Sequence, residues 1–220
     1  MILESSNRSL TAAERRLLDA KIRDLQTRVS RGRKAAITSI AVVVILWILT
    51  LVASDVSWPI VTSFWIVVGI GLYLWVRRDL MKDLDVLRRI LRGYESARRR
   101  DLAEVFEVRS SAFAELEEFE DEGACYVFQI DDDRLVFVVG QEFYPQARFP
   151  SHDFSLVHIL DERSQPVEMV IEKRGPQAAP ARVIPAANKL RVEIPEHLEV
   201  IEGRLEQIED LLGFNRKGRA

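Results

Sequence analysis

A single cysteine, Cys125, stands in a chain of 220 residues, so neither an intramolecular disulfide nor a CxxC metal site can staple the fold. One lone thiol fits a reducing cytosol. No Walker A loop, GxGxxG turn, HExxH helix or GxSxG elbow occurs. With them go the signatures of phosphate-cradling, dinucleotide, zinc-peptidase and serine-hydrolase chemistry. Charge is scarce in one place: residues 35–76 hold one charged side chain, Asp55.

Charge is abundant on either side of that gap. Residues 1–34 carry nine Lys or Arg against four Asp or Glu, and residues 77–100 carry the same nine against four. Residues 101–220 sum to −12, so the overall −3 averages a basic half with an acidic one. A −12 segment disfavours nucleic acid, because neutralising phosphates needs a basic face.

The gap contains two uncharged runs of 19 residues, 35–53 and 58–76, joined by 54–57. At about 1.5 Å per residue each reaches ~28 Å, close to the ~30 Å of a bilayer core. The pattern predicts a two-helix transmembrane hairpin with 54–57 as its extracytoplasmic turn and Pro59 in the first turn of the second helix. A signal peptide is the rival reading of the first run, set aside because the charged segment before it is too long. Arg31, Arg33, Lys34, Arg77, Arg78 and Lys82 crowd the outer flanks, which predicts headgroup contact and cytoplasmic termini at a bacterial inner membrane. No charge lies inside either run, which favours an anchor over a transporter. Gly69 and Gly71 lack GxxxG spacing.

Thr11 followed by Glu14 is a capping-box pattern, and Leu18, Ile22, Leu25 and Val29 then recur at helical spacing. Leu80, Leu84, Leu87, Leu91 and Tyr94 repeat that seam after the second run. The segments 1–34 and 77–103 are therefore expected to form a cytoplasmic antiparallel helical stalk, its seams pairing within one chain or between chains. Asp19 with Arg23, Asp24 with Arg28 and Asp85 with Arg89 sit at i,i+4 on the remaining faces.

Beyond residue 100 the period becomes alternating. Strands are expected at Val105–Arg109, Phe113–Phe119, Tyr126–Ile130, Leu135–Val139, Phe154–Leu160, Val167–Ile171 and Leu190–Ile194, with a hairpin turn at Asp131–Asp133 and a closing helix over Gly203–Leu212. The fold class is thus an α+β membrane protein, its domain at 104–214 a small, mostly antiparallel β barrel or sandwich, with a tail at 215–220. The segments FEDEGACYVFQI, LVFVVGQEFY and FPSHDF, at 119–130, 135–144 and 149–154, resemble an uncharacterised, recurrent bacterial membrane-anchored domain family. That resemblance spans about residues 105–173 and implies no activity, ligand or catalytic residue.

Candidates for chemistry are few. Cys125 with His152 or His158 would be a nucleophile and base, but its strand is apolar and flanked by acids, which raise a thiol pKa. The acidic runs at 115–122 and 131–133 do not match a calcium loop and read as solvated edges. The loop 141–150 carries Phe143, Tyr144, Arg148 and Phe149, which either cap the core or meet a partner. No catalytic, cofactor or metal residue is assigned. The expected function is a non-enzymatic, membrane-anchored interaction or scaffold module whose partners are the lipid bilayer and a protein or a second copy. The alternative is an oligomeric pore or channel-like subunit with a sensing domain.

Overall fold

Thr11 opens the first helix by a reciprocal pair of bonds: its N–H donates to Glu14 Oε2 at 2.7 Å, and the Glu14 N–H donates to Thr11 Oγ1 at 3.3 Å. In the computed structural model, residues 3–53, 58–119, 121–146, 148–189 and 194–213 are described, with backbone alone given at 32–37, 39–41, 43, 51, 53, 72, 75–77 and 79–81. The expected strand at Leu190–Ile194 and the turn 54–57 lie mostly or wholly outside them. Two units result, a helical one of Leu10–Leu102 with Leu160–Val167 and a β-rich one holding the rest.

The helical unit is built from α1 (Ala12–Ala53) and α2 (Trp58–Arg100). They run antiparallel, cross-linked where Arg15 grips Asp101 with two bonds of 2.9 and 2.7 Å and Arg98 meets Asp19 at 3.0 Å. Leu18 and Leu84 are buried in this unit and Ile22, Leu25, Val29, Leu87, Leu91 and Tyr94 half-buried, so the two seams pair within one chain. The Leu80 side chain lies outside the described residues. Asp24 pairs with Arg28 as spaced, whereas Asp19 takes Arg98 and Asp85 takes Arg88. Asp101 ends α2 in the left-handed region at φ 55, which a short polar side chain tolerates better than most.

The expected membrane-spanning hairpin at 35–53 and 58–76 is corrected, and with it the integral inner-membrane placement: among the described residues no helix is long and apolar enough to cross a membrane. A span needs about 20 consecutive apolar residues. Each of the two helices is continuous through the segments expected as stalk and as membrane span.

The β-rich unit holds β1 (Ser5–Ser9), β2 (Leu102–Arg109), β3 (Ala112–Leu116), β4 (Ala124–Asp131), β5 (Arg134–Gly140), β6 (Asp153–Leu160), β7 (Pro166–Lys173), β8 (Arg182–Ile184) and β9 (Val200–Glu202), some strand ends reaching into the helical unit. They form two sheets, β1-β2-β6-β7 and β8-β3-β4-β5-β9. A barrel is overturned, because these sheets keep separate edges and do not close. Strand counting cannot foresee this, since β1, β8 and β9 lack alternation and exist through distant pairing, as in the parallel match of β3 with β8.

Alternation along β4 fixes two cores. Tyr126 and Phe128 face one way, joining Phe106, Phe113, Phe149 and Phe154 in a cluster shared by both sheets, with the Phe128 and Phe154 centroids 5.0 Å apart. Cys125 and Val127 face the other way, onto Leu135, Phe137, Ile184 and the closing segment, where Leu205 and, on the short helix α3 (Ile208–Leu211), Ile208 cover the sheet. The β4–β5 hairpin turns at Asp132–Asp133, as the sequence predicts.

Candidate interaction surface

Helix α1 shows solvent its Val42, Ile45, Leu49 and Val52, and α2 shows Trp58, Ile60, Phe64 and Val67, the last 71% exposed. A lone exposed leucine is ordinary, but a run of exposed large apolar side chains this long is a candidate interaction surface. The reason lies in the sequence: both runs are apolar on every side, and a single neighbouring helix covers one stripe of each. Val61 is buried, and the Trp47 and Trp65 side chains are half-buried with indole N–H groups that meet neither water nor an acceptor. Thr50 returns its hydroxyl to Leu46 O at 2.8 Å, hiding its polarity within the helix. Among the described residues a Cβ added at Gly71 would meet nothing within 4 Å.

The basic residues predicted to flank the band divide by what is described. Arg31, Arg78 and Lys82 are exposed, and the side chains of Arg33, Lys34 and Arg77 lie outside the described residues.

In the β-rich unit the four loop residues 143, 144, 148 and 149 separate. Phe143 and Phe149 are fully buried, ring against ring at 6.1 Å, and belong to the shared core. Tyr144 is 40% exposed and donates its hydroxyl to Glu118 Oε1 at 2.5 Å, and Arg148 is exposed. That bond, with a second from the Gly123 N–H at 3.0 Å, holds the Glu118 carboxyl below its ordinary range and pushes the Tyr144 phenol up.

The motif residues behind the resemblance build turns and core. Gly123, at φ 91, enters β4 where any Cβ would strike the backbone of Gly140 and Gln141. Gly140 leaves β5 at φ 148, and the Phe149–Pro150 bond is cis. Ser151 is buried and donates to Asp153 O at 3.0 Å.

Cys125 is buried, and burial pushes its thiol up to about 11, so at neutral pH it is a protonated core group. His152 meets Ser110 instead, Nδ1 to Oγ at 3.2 Å, at an exposed turn where among the described residues no carboxylate orients the ring. His158 pairs in register with Glu104 and stacks on His197. Sequence reasoning did not single out His197; the signal it left is a histidine placed beside Leu198 in a short apolar return to the sheet. The Lys189 amine, itself buried, reaches Glu122 at 3.0 Å. Among the described residues no group of three or more His, Cys, Asp or Glu side chains is placed to hold a metal ion.

No family description matches the chain, and neither the curated proteins nor the solved structures gave a match.

Proposed function

We propose that this protein is a non-enzymatic interaction module whose two long helices engage an apolar partner, a lipid surface or the apolar helices of another chain. The observation that carries the reading is the uncovered band of large aliphatic and aromatic side chains between Val42 and Tyr73. The basic residues Arg31, Arg78 and Lys82 beyond one end of the band would add attraction to an anionic surface, on the order of 1 kcal/mol for each that comes within a Debye length. The protonated, buried thiol of Cys125 and the exposed turn that holds His152 support a binding role over a catalytic one.

The test uses the full chain and a variant with Ile45→Ser, Leu49→Ser, Ile66→Ser and Val67→Ser. The wild type is expected to require detergent, float with anionic phospholipid vesicles or assemble with itself, and the variant to lose these behaviours while keeping its circular dichroism spectrum. Flotation identifies lipid as the partner, and light scattering identifies self-assembly. A wild-type chain that stays a monodisperse monomer without detergent and ignores vesicles overturns the proposal.

A further inference from the structure

His158 and His197 meet at one end of the aromatic core of the β-rich unit. The His158 ring, on β6, lies against Phe106 with centroids 5.1 Å apart. The His197 ring sits between Phe143 at 5.0 Å and His158 at 6.2 Å, inclined 28° to each. Its Nδ1 accepts the Val139 N–H at 3.2 Å, so the neutral ring carries its proton on Nε2. That Nε2 is shut off from solvent and has no hydrogen-bond partner among the described residues. A buried donor without an acceptor is costly and calls for an explanation.

The segment that His197 begins lies along the edge of β5. Leu198 N–H donates to Phe137 O at 2.7 Å, Phe137 N–H to Glu199 O at 3.0 Å, Leu3 N–H to Leu198 O at 3.1 Å and Gly203 N–H to Asp133 O at 2.7 Å, β9 adds three residues of pairing with β5, and Leu198 and Val200 are buried in the shared core. Leu198 sits at φ 63, a conformation an aliphatic side chain resists, so the neighbouring contacts must hold it there.

We propose that the His158–His197 stack is an acid-released latch: neutral His197 pins residues 197–202 on the edge of β5, and protonation frees that segment and bares the strand. A proton on Nδ1 would turn its acceptor into a donor aimed at the Val139 N–H, and would place a cation against a second imidazole in a desolvated site. The charged groups facing the pair are Glu104 on β2 and Glu142 in the turn after β5, and both act on His158. On the segment itself, Glu199 is engaged by the Glu196 N–H at 2.8 Å.

Burial drives His197 down to about 4, with His158 adding to the fall. Burial lowers His158 as well, against the pull of Glu104 and Glu142. Both histidines are therefore depressed below the unfolded value of 6.5. The open state binds more protons, so the closed state is favoured above about pH 6.5 and loses ground as pH falls toward about 4.

Hydrogen exchange on the full chain tests the latch, with amide protection corrected for intrinsic rates at about pH 7.5 and about pH 5. Protection at Phe137, Val139 and Leu198 is expected to fall on the order of tenfold at the lower pH, while Tyr126 and Val127 in β4 keep theirs. His197→Gln, whose side-chain oxygen can still accept from Val139, is expected to flatten the pH dependence. Equal protection at both pH values, an equal fall in His197→Gln, or a fall shared by β4 overturns the proposal. Should that variant not fold, NMR titration of the wild-type ring decides: a His197 midpoint near the ordinary 6.5 overturns the latch, and one well below it supports the latch.

Discussion

The helical and β-rich units use the same apolar residue types and dispose of them in opposite ways. Phe113, Phe128, Phe149 and Phe154 are fully buried, whereas Trp58, Phe64 and Tyr73 on α2 are about half to three-quarters exposed. Strands alternate, so one face of each sheet can be closed by the other sheet and the second face by a short helix or turn. A helix that is apolar all round has no such economy, since one antiparallel neighbour covers one stripe. The β-rich unit therefore completes its core from its own chain, and the helical unit leaves large apolar side chains exposed.

That contrast can be broken experimentally, most sharply in the core. Phe128→Ala is expected to cost about 3–5 kcal/mol of unfolding free energy, because it opens a cavity in a ring of aromatics, while Phe64→Ala on α2 stays within about 0.5 kcal/mol. Denaturant titration of the full chain, followed by circular dichroism, compares them; equal losses would mean the helical surface is covered by its own chain. Gly123→Ala comes next, at roughly 1–3 kcal/mol, from strain at a left-handed position backed by chain. A melting temperature unchanged by that substitution would place the entrance to β4 elsewhere.

Cys125→Ser is expected to cost about 1–3 kcal/mol by burying a hydroxyl among aliphatics. The native thiol, raised to about 11, should resist alkylation at neutral pH and react once the chain is unfolded. Fast native labelling would move Cys125 to the surface and reopen its chemistry. The smallest effect is Tyr126→Phe. The Tyr126 hydroxyl is buried without a partner among the described residues, and burial pushes the phenol up to about 12, so its removal should be neutral or stabilising by up to about 1 kcal/mol.

Much of the local structure was legible in the sequence because its causes are local. The capping box at Thr11, the leucine spacing of both helices and the alternating runs of β2 to β7 each follow from period or from neighbours three or four residues away. The candidate site was legible in part. The apolar runs were read as a membrane hairpin, whereas the structure shows them as helices with exposed apolar side chains, and among the loop residues Tyr144 and Arg148 reach the surface while Phe143 and Phe149 do not. A sequence cannot sort those four, because a loop side chain points wherever the returning chain leaves room. The membrane-spanning hairpin and the barrel were overextended inferences: an uncharged run of 19 residues does not by itself define a span, and strand count does not define closure.

The sequence by itself determined the two long helices, the order of the main strands, the shared seam and the charge contrast between basic and acidic halves. All depend on side-chain period and composition, which are properties of the chain read in order. Tertiary structure alone decided that SSNRS at 5–9 becomes an edge strand, that the sheets stay separate, that Cys125 faces the second core and that His197 comes to rest between Phe143 and His158. Each of these joins residues far apart in sequence, and such a contact forms only when burying the shared surface outweighs the entropy of closing the loop between them.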